Sequence, residues 1–204
     1  DTTVLEVIKD NIVSVLKTVA HQKTLESIVR EDLYSGLYSE EYLYGEGRKV
    51  IDQYTTSTMC MFKITNLEEI NKKCSRELGN KVIQKICAYI KDNIAEQYIF
   101  VRYMGPKFVI AFSGVEINGV ADFVNDLKNK IENTKIYLND EDEKTEDEED
   151  KDKNKSKKKK VGAYPRLNFA ISTYYKGTGL EEILKKQEEY LDNCDVNESD
   201  ITNI

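Results

Sequence analysis

Histidine and closely spaced cysteines are scarce in this chain of 204 residues. The only histidine is His21, and none of the four cysteines forms a Cys-x-x-Cys pair with another. Zinc sites and histidine-based catalytic triads depend on these residues, so their scarcity argues against both kinds of site. We expect free thiols in a reducing compartment at Cys60, Cys74, Cys87 and Cys194.

A long apolar run and an excess of positive charge are also missing. No run approaches the ~20 apolar residues that cross a bilayer, and no signal peptide is visible, so we expect no membrane span in this chain. With 30 basic and 37 acidic residues, the net charge is −7, which argues against nucleic-acid binding through a general basic surface. We expect a cytoplasmic location, either for the whole protein or for the cytoplasmic part of a larger, membrane-anchored one.

No glycine or proline interrupts residues 4–33, which have the apolar pattern of one long helix. A 3-4 spacing, typical of the contact positions of a coiled coil, relates Leu5, Ile8, Ile12, Val15 and Val19. Two interpretations stay open. The helix packs on its own domain, or it pairs with a second chain as a homodimer and links an upstream sensor to the domain formed by the rest of the chain. Residues 1–33 are thus predicted to be an N-terminal signalling or linker helix.

The rest of the chain alternates between helical and strand-like patterns. Thr56–Ile64 is almost continuously apolar, as expected for a central strand buried on both faces. Two runs rich in β-branched and aromatic residues, Ile99–Tyr103 and Phe108–Phe112, flank a Gly-Pro turn and predict a hairpin. Apolar periodicity further predicts helices at 40–53, 80–93, 120–131 and 180–191 and a strand at 166–175.

A highly charged segment interrupts this alternation. Asp140–Asp152 carries ten acidic residues, and Lys153–Lys160 carries six lysines. Because no apolar residue lies between Leu138 and Val161, the segment cannot bury enough surface to order itself. We predict a disordered insertion at 139–161. The acidic run would compete for the lysines, which argues against a lipid-binding or nucleic-acid-binding patch.

The hairpin resembles the signature of GGDEF domains, the diguanylate cyclase family. The family pattern is Arg-Tyr-Gly-Gly-Asp/Glu-Glu-Phe, and the chain has Arg-Tyr followed by Met104, Gly105, Pro106, Lys107 and Phe108. The frame is present, but both acidic residues are missing. Two further blocks, at 32–43 and 63–80, resemble the family's other motifs in the same order and with similar spacing.

The resemblance implies an α/β (α+β) fold with a ferredoxin-like βαββαβ core. A central, mostly antiparallel sheet of about five strands would be flanked by helices, as in nucleotide cyclases and polymerase palm domains. It also implies one degenerate GGDEF domain over residues 34–195, including the charged insertion. Residues 196–204 are predicted to be a C-terminal tail.

Where family members hold two divalent metals on the GTP phosphates, this chain has Lys63 and Pro106. A protonated lysine cannot coordinate Mg²⁺, and proline offers no side-chain ligand. Lys107 replaces the second acidic residue of the signature. The resemblance therefore implies no catalytic residues, no metal site, and weak or lost binding of Mg²⁺ and GTP. Asn71 and Asn80 stand at the family's guanine-contact positions and are predicted to be remnants of that site.

We therefore predict a catalytically inactive GGDEF-like domain in bacterial signalling related to cyclic di-GMP. It would serve as a regulatory, dimerisation or ligand-sensing module, with an upstream sensor domain or another signalling protein as its partner. The family's Arg-x-x-Asp inhibition site also lacks its charged residues, since Ala95 and Tyr98 stand there. One alternative is an active diguanylate cyclase, or another nucleotide cyclase, with relocated metal ligands. A third possibility is GTP binding without turnover.

Overall fold

The computed structural model describes residues 9, 12–18, 32, 35–139, 160–195 and 200–204. Within the predicted N-terminal helix, residues 9 and 12–18 are helical. Of the five apolar residues at 3-4 spacing, Ile12 and Val15 are described, and both are exposed, at 54% and 62%. Leu5, Ile8 and Val19 lie outside the described residues. The described part of this helix therefore presents apolar side chains to solvent.

The domain begins with a composite helix, α1, which has a π-helical turn at Leu43–Gly47 between α-helical segments at Glu40–Tyr42 and Arg48–Ile51. The other helices are α2 (Leu67–Lys73), α3 (Arg76–Asn93), α4 (Ile117–Glu132) and α5 (Leu180–Asn193). The strands are β1 (Thr56–Ile64), β2 (Ile99–Arg102), β3 (Lys107–Ser113), β4 (Ile136–Tyr137), β5 (Gly162–Ala163), β6 (Leu167–Tyr175) and β7 (Ile201–Asn203).

Five strands form one sheet in the order β2-β3-β1-β6-β7, and β4 pairs with β5 in a separate two-stranded sheet. All pairs in the large sheet are antiparallel except β6 with β7. The predicted fold class is confirmed, because β1, α3, β2, β3, α4 and β6 follow one another as a βαββαβ unit. The prediction that β1 is central and buried is also confirmed, since Met59, Cys60, Met61 and Phe62 are fully buried.

Strand alternation divides the core between the two faces of the sheet. Because successive side chains point to opposite faces, Cys60, Phe62 and Ile110 pack with α3 and α4 on one face. Met59, Met61, Val109 and Ala111 pack with α1 and α5 on the other. Lys63 and Lys107 belong to this second, odd-numbered series. The same alternation that builds the core therefore directs both lysines towards α5.

Two short strand pairings fall where no strand was predicted. Ile201–Asn203, in the range assigned to a C-terminal tail, forms β7 beside β6, and Asn168 Oδ1 accepts a hydrogen bond from Asp200 N at 2.9 Å. Its three residues include one apolar residue, too few for a detectable period. The β4–β5 pair flanks the charged insertion, with Leu138 N donating to Val161 O at 2.9 Å. Of the insertion itself, only residues 139, 160 and 161 are among those described.

Two helices begin earlier than their apolar periodicity predicts. Helix α3 begins at Arg76 rather than Asn80, after Ser75, whose side chain accepts a hydrogen bond from Leu78 N. Helix α4 begins at Ile117 rather than Val120. The start of a helix is set by its cap rather than by the spacing of its apolar residues, so periodicity alone places the start too late.

All four cysteines are free, as predicted. Burial raises the pKa of the Cys60 thiol, and burial is also the main cause of the raised pKa of Cys87, which reaches about 12. Both thiols therefore stay protonated and act as packing residues. None of the described helices combines the length and the apolar composition needed to span a bilayer.

Candidate functional site

The segment that resembles the family signature forms the tight turn between β2 and β3. Lys107 N donates to Met104 O at 3.0 Å, and Gly105 has a φ of +57°, which glycine adopts without strain. Arg102 stabilises this turn, because its Nε and Nη2 atoms each donate a hydrogen bond to Gly105 O at 3.2 Å. Its Nη1 donates to Asp32 Oδ1 at 2.7 Å. The arginine of the family signature thus serves a structural contact here.

Pro106 and Phe108 have backbone and packing roles. The Pro106 carbonyl oxygen accepts a hydrogen bond from Ile64 N at 3.0 Å and so extends the pairing of β1 with β3. Phe108 is fully buried, and its ring stacks on Phe62 with centroids 5.0 Å apart. Met104, in contrast, is exposed. The signature therefore keeps its hairpin geometry while offering no acidic side chain.

Lys63 and Lys107 face each other directly across β1 and β3. Like charges at opposed positions of an antiparallel pair destabilise the sheet, and Asp192 compensates for this by bridging them. Lys63 Nζ donates to Asp192 Oδ1 at 2.9 Å, and Lys107 Nζ donates to Asp192 Oδ2 at 2.7 Å. Lys107 Nζ also donates to Glu188 Oε1 at 2.6 Å. We call these four residues the ion cluster.

Helix α5 supplies both carboxylates from one face. Glu188 and Asp192 are four residues apart and therefore lie one above the other on the helix. Leu184 and Leu191 of the same helix are fully buried in the core beneath the sheet. This packing holds the two carboxylates over the C-terminal end of β1 and the N-terminal end of β3, where the two lysines lie.

The cluster is partly shielded from solvent, and its charges stabilise one another. The side chain of Lys107 is only 8% exposed. Burial opposes its ionisation, but the hydrogen bonds to Asp192 and Glu188 prevail and raise the pKa of Lys107. Burial likewise opposes ionisation of Asp192, yet the hydrogen bonds from Lys107 and Lys63 lower the pKa of Asp192. Lys107 and Asp192 therefore hold their charged forms more firmly than isolated side chains do, and two lysines face two acidic residues in the cluster.

The residues at this place do not fit a divalent metal. Mg²⁺ requires oxygen ligands in near-octahedral geometry, and both carboxylates of the cluster already bind ammonium groups. Lys63 Nζ additionally donates to Leu191 O at 3.1 Å. Among the described residues, no group of three or more histidine, cysteine, aspartate or glutamate side chains is placed to hold a metal ion.

Helix α1 and the hairpin add a polar layer next to the ion cluster. Tyr44 Oη and Tyr103 Oη lie 3.1 Å apart and share a hydrogen bond. Burial raises the pKa of Glu40, and the negative charges of Glu188 and Glu41 raise it further. Burial also raises the pKa of Tyr103, to which the charges of Glu40 and Glu188 contribute. The sequence analysis did not identify these residues, because their proximity depends on how α1, the hairpin and α5 meet.

The two predicted remnants of the guanine site belong to the helix pair α2–α3. Asn71 presses against the backbone of α3, since a Cβ at Gly79 would come within 1.9 Å of Asn71 Oδ1. This oxygen is buried and lacks a hydrogen-bond partner within the described part of the chain. Asn80 follows Gly79 directly and is half-buried. That these residues bind a base stays a prediction.

The positions of the family's inhibition site line a groove of about 710 Å³ beside α1. Ala95 and Tyr98 lie in its wall, together with Tyr38 and Tyr42, whose rings stack with centroids 3.9 Å apart. Tyr98 packs edge-on against Phe112, with centroids 5.1 Å apart. An aromatic and apolar wall thus stands where the family has an arginine and an aspartate.

A five-stranded sheet on a βαββαβ core, with helices on both faces and the signature hairpin at one end, defines a domain of the nucleotide-cyclase and palm class. The chain belongs to the GGDEF family. The family model described as "Diguanylate cyclase, GGDEF domain" matches residues 29–149. The comparison with curated proteins finds no match.

Solved structures with this fold include several GGDEF domains. The coiled coil and GGDEF domain of DgcB from Caulobacter crescentus, in complex with c-di-GMP, superposes with a TM-score of 0.74 at 13% identity, covering 97% of each chain. The FimX GGDEF domain from Pseudomonas aeruginosa gives 0.68 at 12% identity, covering 87% of this chain and 100% of that one. Diguanylate cyclase SiaD from the same organism, in complex with its activator SiaC, gives 0.65 at 10% identity, covering 91% and 65%.

Proposed function

We propose that this GGDEF domain is a non-enzymatic module of bacterial cyclic di-GMP signalling, acting in the cytoplasm. It would regulate, dimerise or sense a ligand rather than condense GTP. The observation that carries this proposal is the ion cluster. The two positions where the family resemblance places metal-binding acidic residues hold Lys63 and Pro106, and Lys107 follows Pro106 directly. Asp192 forms ion pairs with both lysines, and Glu188 forms one with Lys107.

The charge arrangement also opposes binding of a triphosphate at this place. Metal ions in phosphoryl transfer neutralise the charge of the phosphates and align the attacking group. The two ammonium groups of the cluster cannot take over that role without releasing their carboxylates. Glu188 and Asp192 would then face the phosphates, and like charges at close range disfavour binding.

An active cyclase with relocated metal ligands is the second candidate. It would need several carboxylates converging near the hairpin, but those of the ion cluster already bind lysines. GTP binding without turnover is a third candidate, and the buried, unpartnered oxygen of Asn71 is the observation that favours it. The second and third candidates both require a nucleotide-binding site other than the ion cluster.

We further propose that residues 4–33 mediate self-association. Among the described residues of this segment, Ile12, Val13, Val15 and Leu16 are all exposed. A helix that presents apolar side chains to water gains stability by pairing with another helix. The likeness to a DgcB structure described as a coiled coil with a GGDEF domain supports the same arrangement. An upstream sensor would then act through this helix.

The decisive test is synthesis of cyclic di-GMP. The whole chain is incubated with GTP and either Mg²⁺ or Mn²⁺, and the products are separated by chromatography beside a reaction without protein. We expect no product above that blank. Product formation would overturn the non-enzymatic proposal. A Lys107→Met variant is assayed in parallel, because a rate that changed with this residue would place the reaction at the hairpin.

A further inference from the structure

The groove beside α1 is walled by aromatic side chains that come from several parts of the chain. Four tyrosines line it: Tyr38 before α1, Tyr42 in α1, Tyr54 after α1 and Tyr98 before β2. Its volume of about 710 Å³ lies within the ~300–1,000 Å³ range of small-molecule sites. Tyr38 and Tyr54 are each 42% exposed. The groove therefore offers large aromatic surfaces to a molecule that enters it.

The two exposed rings are held in place from behind. The Tyr38 carbonyl oxygen accepts a hydrogen bond from Arg102 N at 2.9 Å, which fixes this backbone to β2, and the Tyr38 ring stacks on Tyr42. The Tyr54 ring lies against the backbone of Gly114, because a Cβ there would come within 2.5 Å of Tyr54 Cδ1. An aromatic surface that is already fixed loses little conformational freedom when a ligand binds, and this preorganisation favours binding.

The groove has few charged residues, although 33% of the chain is charged. Among the described residues that line it, only Lys91 is basic and only Glu96 is acidic. Lys91 Nζ donates a hydrogen bond to Gly36 O at 2.6 Å, so this ammonium group is already engaged. Gln53 and Gln97, which are both exposed, add amide groups that donate and accept hydrogen bonds. The lining therefore favours a neutral ligand with a few polar atoms over an anion.

We propose that the groove beside α1 binds a neutral, planar heteroaromatic molecule of two or three fused rings, which stacks on Tyr38. This inference rests on the ligand-sensing form of the proposed function and names the chemical class of the ligand. Aromatic rings attract one another in offset-stacked and edge-to-face arrangements, so a planar ligand extends the stack that Tyr38 and Tyr42 begin. Gln53 and Gln97 supply partners for its ring nitrogen or carbonyl atoms. Because Ala95 and Tyr98 stand at the charged positions of the family's inhibition site, the ligand carries no phosphate.

The main alternative is that the tyrosines only cover the core. Core packing explains Tyr42 and Tyr98, which are half-buried against the two core clusters. Tyr38 and Tyr54 are exposed instead. Single exposed apolar side chains are common and need no explanation, but these two line the same groove. Covering the core therefore accounts for two of the four tyrosines.

The test is a two-dimensional NMR titration of the whole chain with quinoxaline, a neutral molecule of two fused rings. We expect saturable shifts of amide signals from the groove. Tyr38→Leu and Tyr54→Leu, which keep an apolar side chain and remove the ring, should each weaken binding about fivefold to tenfold. Tyr38→Phe keeps the ring and should bind like the wild type. Tyr164→Leu, at an exposed tyrosine outside the groove, is the matched control and should also bind like the wild type.

Four results would overturn the proposal. The first is the absence of saturable shifts up to about 20 mM quinoxaline, a concentration beyond any useful affinity. The second is binding that both groove variants leave unchanged or that Tyr164→Leu weakens equally. The third is binding of quinoxaline-2-carboxylate that is tighter by about tenfold or more, which would mean that the groove recognises an anion. The fourth is a changed sedimentation of Tyr38→Leu, which would assign the groove to a contact between two copies of the chain.

Failure of this test is distinguishable from failure of the non-enzymatic proposal. Synthesis of cyclic di-GMP decides that proposal, and it does not depend on whether the groove binds quinoxaline. Unfolding curves verify that each variant is folded. A groove that binds no planar ligand, in a chain that makes no cyclic di-GMP, would overturn only the inference about the ligand.

Discussion

Lys107→Met removes the ammonium group at the centre of the ion cluster and keeps an unbranched side chain of similar length. The wild-type ammonium donates to Glu188 Oε1 at 2.6 Å and to Asp192 Oδ2 at 2.7 Å. After the substitution, Asp192 keeps Lys63, but Glu188 loses its cationic partner. Glu188 also lies near Glu40, whose pKa its charge already helps to raise. The substitution therefore leaves negative charge uncompensated beside α1.

The expected loss is about 2 kcal/mol in the free energy of unfolding. Hydrogen bonds to charged groups contribute ~1.5–3 kcal/mol each, and breaking a buried ion pair costs ~3–5 kcal/mol. The value here is smaller, because Asp192 is 49% exposed and Glu188 24% exposed, so water takes over part of the interaction. A loss of this size corresponds to a urea midpoint lower by about 1 M, or to a melting temperature lower by roughly 4–8 °C.

A double-mutant cycle by urea unfolding separates the ion cluster from simple packing. In a background with Glu188→Gln and Asp192→Asn, the same Lys107→Met removes a shielded cation that has no anion, so it should be neutral or stabilising. The coupling energy should therefore be about 2 kcal/mol. Additivity within ~0.5 kcal/mol would refute the reasoning. Lys176→Met, at an exposed position, should change stability by less than ~0.5 kcal/mol.

Three further predictions concern other parts of the chain. Asp192→Asn should destabilise the domain at neutral pH, and this loss should fade as the pH falls below 3.8 and through the lowered folded-state pKa of Asp192. The reason is that a depressed carboxyl pKa stabilises fully above the unfolded pKa and loses this effect as the pH falls through the folded one. Urea unfolding at several pH values checks this prediction. Replacing residues 140–160 with a short Gly-Ser linker should leave the melting temperature nearly unchanged, since loop closure varies by only ~0.6 kcal/mol per doubling of length. Ile12→Lys with Val19→Lys should convert a dimer into a monomer in sedimentation without altering the unfolding transition, whereas lost stability would mean that the helix packs on its own domain.

The sheet and its helices could be predicted because their patterns are local. The apolar run of β1 and the hairpin at Gly105 each lie within about ten residues, and helix periodicity identifies α3, α4 and α5. Strand β7 could not be predicted, because Ile201 is its one apolar residue and the residues of β6 with which it pairs lie 32 positions earlier. Pairing at that distance depends on the assembled sheet and leaves little local signal.

Half of the candidate site could be predicted from the sequence. Lys107 was identified from the family signature and Lys63 from the block at 63–80, but their partners were not identified. Glu188 lies 81 residues from Lys107, and Asp192 lies 129 residues from Lys63. Helix α5 also carries Glu181, Glu182 and Glu189. In sequence, all five acidic residues have the appearance of a solvated helix face, and only the packing of α5 shows which two meet the lysines.

Titration calorimetry with GTP, in the presence and absence of Mg²⁺, tests the central claim that an ion cluster stands in place of a metal site. Because Lys63 and Lys107 occupy the positions facing α5, Mg²⁺ should not tighten GTP binding, whatever affinity the remaining Asn71 region provides. We predict the same binding heat, or none, under both conditions. A tightening of about tenfold or more on adding Mg²⁺, equivalent to ~1.4 kcal/mol, would contradict the account.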